Sequence, residues 1–275
     1  MKRFTSQMAG SRPEVRALLE RVPLATTPPL PPEWLRCEML ERFAVLACVP
    51  VRAGATVLEV GAGAHALSTV PLALQVGPAG RVVAVERSRW GQFRTITEAS
   101  GLVSRIRSVA ADARRLPLRD DGADLAVCLH GIRSLGAELD VRRVIREMLR
   151  VSDRIVLAES LPIATTDAQR AHLAMYDLRE EMFLARDGHR DDRRYLPLDR
   201  LASLAELAGG VVEKTERLDL DLPHFLAWFP RSLIEGIPDE AQRVDLGRRW
   251  DVAEQARLRF GEDQPPVGIV TARRS

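Results

Sequence analysis

The chain predicts an α/β fold: a seven-stranded, mostly parallel sheet wrapped by helices, with further helices ahead of it and a helical lid. Three observations carry that expectation. From Ala55 onward, short β-rich runs alternate with helical ones, the pattern of a parallel sheet covered on both faces. The first of these runs ends in a glycine turn, Gly61-Ala62-Gly63, that opens a helix. The chain closes on two strand-like runs, Val211–Leu220 and Val267–Ala272, so that the last strand can enter the sheet antiparallel to its predecessor.

Residues 1–49 read as a helical cap, with a periodic stretch from Glu14 to Val22, a proline-rich hinge "TTPPLPPEW", and a second helix from Glu33 to about Ala47. Residues 50–275 read as one domain. Its first five strands are expected at Thr56–Val60, Arg81–Glu86, Arg105–Ala110, Leu125–Leu129 and Arg154–Glu159, with helices between them. A charged helical insertion follows at about 163–196, then an amphipathic helix from Leu198 to Ala208 stopped by Gly209-Gly210. A second insertion, at about 222–265 and carrying Trp228, Phe229 and Trp250, separates the two late strands.

With 46% hydrophobic and 28% charged residues, the 275-residue chain is composed like a soluble globular protein and is too polar for a membrane protein. Its longest apolar run, Phe43 to Val51, is broken by Pro50 and falls short of the roughly twenty residues a membrane helix needs. The basic start lacks the apolar region of a secretory signal, so the cytoplasm is the expected location. Cys37, Cys48 and Cys128 are odd in number and widely spaced, which argues for reduced thiols and against a disulfide framework or zinc site. A net charge of +2 is short of the excess nucleic-acid domains often carry. Lys2 and Lys214 are the only lysines and asparagine is absent. A GC-rich genome explains this, and so does a hot habitat that disfavours residues prone to deamidation.

Gly61 and Gly63 let the backbone turn tightly and approach a ligand at a helix N-terminus. Taken alone, Gly61-x-Gly63-x-x-Ala66 also satisfies the relaxed dinucleotide fingerprint. Glu59 discriminates, because a carboxylate beside the turn repels a pyrophosphate and pairs with an ammonium group. With Glu59-Val60-Gly61-Ala62-Gly63 the sequence resembles the class I S-adenosylmethionine-dependent methyltransferases, whose first motif is an acid, any residue, then Gly-x-Gly. His65 stands where that family usually has a third glycine; it reads either as a contact to the methionyl carboxylate or acceptor, or as a side chain facing solvent or neighbouring loops.

Two later segments extend the resemblance. Glu86 ends the second strand 25 positions after Gly61, near the spacing of an acid that bonds both ribose hydroxyls. Arg87 sits where the family places a side chain over the adenine. In "AADARRLPL", Asp112 resembles the acid that accepts from the adenine amino group, with the Ala113 N–H donating to the ring; as a bland alternative Asp112 is a helix N-cap. Asp124, at the start of the fourth strand, is expected to be structural. The resemblance covers approximately Val51 to Ala208 and implies S-adenosyl-L-methionine as cofactor in a Rossmann-like fold.

Methyl transfer from a sulfonium demands alignment more than covalent machinery. His130, just past the fourth strand in "CLHGIRSL", is the best-placed base; the alternative is that it shapes the cofactor pocket or packs at the sheet edge. Arg133 and Glu159 either orient an acceptor or form ion pairs. His172, His189, Asp191 and Asp192 have no standard metal-ligand spacing, and no metal is expected. No Asn/Asp-Pro-Pro-aromatic sequence follows the fourth strand, and no Pro-Cys occurs, which argues against base methylation. The segments after the fifth strand are similar to small-molecule methyltransferases of the quinone-biosynthesis type, which implies a lid and a small acceptor. A protein or RNA acceptor is the alternative, suggested by the charged segment Arg179 to Arg194. From other classes, a nicotinamide-dependent oxidoreductase and a non-catalytic cofactor-binding protein stay open.

Overall fold

The computed structural model describes residues 2–5, 12–22, 34–88, 90–188, 195–223 and 229–275. Strands β1 (Lys2–Thr5), β2 (Thr56–Val60), β3 (Arg81–Glu86), β4 (Ile106–Ala110), β5 (Leu125–Leu129), β6 (Arg154–Ser160), β7 (Gly210–Asp221) and β8 (Val267–Arg274) form one sheet. Their order is β1-β7-β8-β6-β5-β2-β3-β4. All neighbours are parallel except β8, which runs antiparallel to both β6 and β7. The seven expected strands are therefore present, with the last one reversed. Lys2–Thr5 adds an eighth at the edge, inside a stretch expected to be helical, by pairing Lys2 with Leu218 and Thr5 with Asp221. Four residues carry no periodicity that betrays a strand, and the partner lies across the whole chain.

The helices are α1 (Pro13–Arg21), α2 (Trp34–Leu46), α3 (Thr69–Gln75), α4 (Phe93–Ser100), α5 (Glu138–Val151), α6 (Asp167–Asp187), α7 (Leu198–Leu207), α8 (Ser232–Glu235) and α9 (Glu240–Phe260). Most of the proline-rich hinge lies outside the described residues. In α5 the apolar spacing of Val141, Val144, Ile145 and Met148 puts one buried stripe against the sheet. Glu138 and Asp140 in its first turn and Arg150 in its last complement the helix dipole. The hydroxyl of Thr166 caps α6 by accepting from Gln169 N, and Asp239 caps α9 by accepting from Gln242 N.

Two apolar layers sandwich the sheet. On one face α2 to α4 bring Leu35, Met39, Leu72 and Ile96 onto Val57 and Val127, with Leu18 of α1 in the same cluster. On the other, α5 and α7 bring Ile145, Met148 and Leu201 onto Leu58, Val60 and Ile155. All five residues of β5 are buried, as a strand covered on both faces requires. Met148 is fully buried, so Met148→Ala costs about 2–5 kcal/mol. A third cluster joins α6, α8 and α9 through Met175, Met182, Ile234 and Leu246. β2 is registered on β5 at its start: Asp124 accepts from Thr56 N at 2.7 Å while Asp124 N donates to Thr56 O at 2.8 Å.

Candidate functional site

Chain progression runs outward from β2 to β3 and β4, then jumps back to β5 and β6 on the other side. The sheet therefore has a topological switch point between β2 and β5, where the loops at the strand carboxyl ends diverge and leave a crevice. A cavity of about 400 Å³ lies there, with Gly61, Gly63, Glu86, Arg87, Asp112, Ala113 and His130 all in its wall. That volume suits a small-molecule site. A wider concavity of about 730 Å³, between Ile234, Arg243 and Val252, is remote from the strand ends.

Two glycines make the floor possible for different reasons. Gly61 has φ +79° and its N–H donates to Val85 O at 2.9 Å, a left-handed turn that L side chains adopt only with strain. Gly131 is needed for close approach: a Cβ there would lie 2.7 Å from Cys128 Sγ and 3.5 Å from Val60 O. It marks the point where the ends of β2 and β5 come together, and the sequence reading missed it, although a glycine directly after a strand end was available as the signal.

Glu86 forms one wall. One carboxylate oxygen accepts from Gly63 N at 3.2 Å, and the other from Arg87 N at 2.9 Å and Ser88 N at 3.4 Å. Asp112 accepts from Arg114 N at 2.9 Å and pairs with the Arg114 guanidinium at 2.6 Å; these bonds hold its carboxyl down to about 2. Arg114 also reaches Asp140 at 3.1 Å, so a lip of alternating charge runs from β4 to α5.

Glu59 and His65 sit elsewhere than in the cavity wall. Glu59 lies beneath the turn, 1% exposed, with Oε2 accepting from Thr69 Oγ1 at 2.5 Å and Oε1 without a hydrogen-bond partner. Burial pushes its carboxyl up to about 7, against the opposing bonds from Thr69 and Ser68. His65 turns toward the cap, edge-on to Trp34 with ring centroids 5.0 Å apart. Burial lowers its pKa, opposed by a hydrogen bond with Gln92.

His130 closes the inner end. It is one of three non-glycine residues with positive φ among those described, at +55°. Its Nε2 is 2.9 Å from Glu41 Oε1 on α2, and its Nδ1 is 3.4 Å from Ser160 Oγ and 3.9 Å from Glu159 Oε2. Arg133 N donates to Glu159 Oε1 at 3.2 Å, and its side chain pairs with the same carboxylate at 3.8 Å. Burial raises the Glu159 pKa, against the pull of Arg133. Glu41 and Ser160, which no local motif marks, complete this inner cluster.

The three cysteines are free, and burial pushes the Cys128 thiol up, with Glu159 adding to the effect, so it stays protonated. Among the described residues no group of three His, Cys, Asp or Glu could hold a metal; His189, Asp191 and Asp192 lie outside them. His172 instead bonds Tyr195 at 3.0 Å. Among the described residues no helix is long and apolar enough to cross a membrane.

A family model described as "Methyltransferase domain" matches residues 58–154, the stretch that builds this crevice. Over that stretch the chain is similar to the class I S-adenosylmethionine-dependent methyltransferases. The chain is 27% identical, over 176 residues, to a ubiquinone/menaquinone biosynthesis C-methyltransferase from Idiomarina loihiensis; the match spans 59% of this chain and 68% of the relative. A cyclopropane-fatty-acyl-phospholipid synthase-like protein from Lactobacillus casei has the same fold at a TM-score of 0.73 and 16% identity, covering 94% of this chain and 98% of its own. A mitomycin 7-O-methyltransferase superposes at a TM-score of 0.53 and 19% identity, over 86% of this chain and 54% of the other. At such identities the solved structures bear on the fold alone.

Proposed function

We propose that this methyltransferase holds S-adenosyl-L-methionine in the crevice between β2 and β5 and methylates a small-molecule acceptor. The observation that carries the reading is the charge and shape of that crevice. Glu86, Asp112 and Asp140 face it against Arg87 and Arg114, so carboxylates are in excess and a diphosphate is disfavoured. The donor set also fits the cofactor's ends. Glu59 Oε1 is a buried acceptor without a partner directly under the glycine turn, suited to the methionyl ammonium. Glu86 would hold the ribose hydroxyls, Arg87 would lie on the adenine face, and Asp112 with the Ala113 N–H would satisfy the adenine edge. His65 would act from behind the turn, steadying it against Trp34.

When bound, the cofactor supplies an electrophilic methyl group on sulfur. The chain's own part is to align an acceptor at the inner end of the crevice, beside His130, and to take its proton there. A small acceptor is supported by the insertion between β6 and α7, which packs down on the strand ends: the Arg133 guanidinium lies over Tyr195 at 5.2 Å, and Tyr195 stacks on Tyr176 of α6 at 4.2 Å. The name of the quinone-biosynthesis relative agrees with an acceptor of that kind.

Incubation with methyl-labelled cofactor and fractionated lysate tests this directly. Label in a low-mass product supports the reading, whereas label in protein or RNA replaces the acceptor class. Calorimetric binding of NADH with none of S-adenosylhomocysteine would instead favour an oxidoreductase, and binding without turnover a non-catalytic role.

A further inference from the structure

The N-terminal cap reaches the inner end of the crevice through one side chain. Glu41, on α2, is 2% exposed in its side chain and bonds Nε2 of His130, itself 4% exposed. A carboxylate only accepts, so Nε2 carries the ring proton. The opposite nitrogen is addressed consistently: Gln264 Nε2 donates to Ser160 Oγ at 3.3 Å, which leaves the Ser160 hydrogen free to point at Nδ1. Gln264 is anchored in turn, its carbonyl accepting from Gln169 Nε2 at 3.0 Å. The positive φ of His130 aims the ring off the end of β5 toward the cap.

We propose that Glu41 is a positioning residue for His130, making α2 part of the active site, and that the pair selects a protic acceptor such as a hydroxyl or acidic carbon. The inference rests on the methyltransferase reading of the crevice. Glu41 fixes the ring as the Nε2–H tautomer, so Nδ1 is the basic nitrogen. In the step this serves, the Ser160 hydroxyl rotates off Nδ1, the acceptor's X–H bond breaks and its proton goes to Nδ1. The X–H electron pair forms the new bond to the methyl carbon, and the pair of the broken C–S bond remains on sulfur. The resulting imidazolium faces Glu41 on one side and Glu159 on the other. An acceptor that is methylated without losing a proton, such as a thioether or tertiary amine, gains nothing from this arrangement.

The charged and polar groups around the ring come from several elements. Glu41 faces it from α2 and is itself paired to Arg42, which also pairs with Glu38. Glu159 and Ser160 come from β6, Arg133 from the turn after β5, and Gln264 from the approach to β8. Glu41 is the group in hydrogen-bond contact with Nε2, and its charge is therefore the one whose loss the ring feels most.

Long-range proton–nitrogen NMR of the full-length, nitrogen-15-labelled chain tests this without any acceptor. The chain has five histidines, so His130→Gln identifies the signal. Expected for the wild type is an Nε2–H ring at neutral pH. Glu41→Gln should lower its titration midpoint by at least one pH unit, and Glu41→Asp should restore part of that loss. An Nδ1–H ring, or a midpoint unmoved in Glu41→Gln, overturns the proposal. Should Glu41→Gln fail to fold, Ser160→Ala tests the same geometry from the other side: the Nε2–H tautomer must persist. Calorimetry with S-adenosylhomocysteine on the wild type separates the two levels, since no binding defeats the crevice reading itself whatever the ring's tautomer.

Discussion

Glu59→Gln should stabilise the free protein and weaken its hold on the cofactor. The carboxyl is 1% exposed and pushed from 4.5 up to about 7 by burial. For an acid whose folded pKa is raised, the folded state binds the extra proton. Stability is therefore greatest below about 4.5, falls as pH rises toward 7, and stays low above it. A displacement from 4.5 to about 7 is worth about 3 kcal/mol. Glutamine keeps the shape and can still accept from Thr69 Oγ1, but it has no charge to bury. At pH 8 the variant should thus gain up to about 3 kcal/mol over wild type, with the two converging below pH 5. Urea melts across pH 4.5–8.5 measure this difference. Cofactor binding should move the other way, because the ammonium loses its counter-charge: a charge-assisted hydrogen bond worth about 1.5–3 kcal/mol corresponds to a roughly tenfold to hundredfold rise in the S-adenosylhomocysteine Kd. A variant that is less stable at every pH and binds as tightly as wild type would falsify both the buried-carboxylate argument and the assignment of Glu59 to the ammonium.

The same coupling predicts that S-adenosylhomocysteine binding at pH 6 releases nearly one proton, since Glu59 must ionise to meet the ammonium; calorimetry in buffers of different ionisation enthalpy reads that number directly. Gly131→Ala should cost about 1–3 kcal/mol, because its Cβ would sit 2.7 Å from Cys128 Sγ, and adding Cys128→Ala should recover most of the loss in a thermal melt. Glu86→Ala removes the acceptor of Gly63 N–H and the expected ribose contact, so the S-adenosylhomocysteine Kd should rise at least tenfold with little change in Tm. If the lack of asparagine reflects a hot habitat, the wild-type Tm should exceed about 55 °C; a lower value leaves genome composition as the explanation.

The parallel core was legible because its central strands β2, β5 and β6 are buried on both faces and are therefore written as short apolar runs with polar punctuation. β2 and β5 match their expected limits for that reason, and β3, a β-branched run that is only partly buried, matches as well. Strand β1 was not legible: its existence depends on the open edge of β7, which lies more than two hundred residues away in the sequence. The site divides along the same line. Glu86, Asp112 and His130 share one cavity because each follows the carboxyl end of a parallel strand, and position along a strand is a local property.

Which way a side chain faces is also local, and Glu59 shows it. Side chains alternate across a strand, so Glu59 shares a face with Val57, under α2 and α3, while Leu58 and Val60 face α5. Period two alone thus sends Glu59 beneath the turn, where it can reach a ligand's ammonium only from below. His65 is directed by its contact with Trp34, and His130 by its bond to Glu41. Both contacts come from α2, a segment matching no motif. The glycine turn and strand ends build the crevice from local signals; the orientation of His65 and His130 is set by a helix whose partners only the folded chain brings within reach.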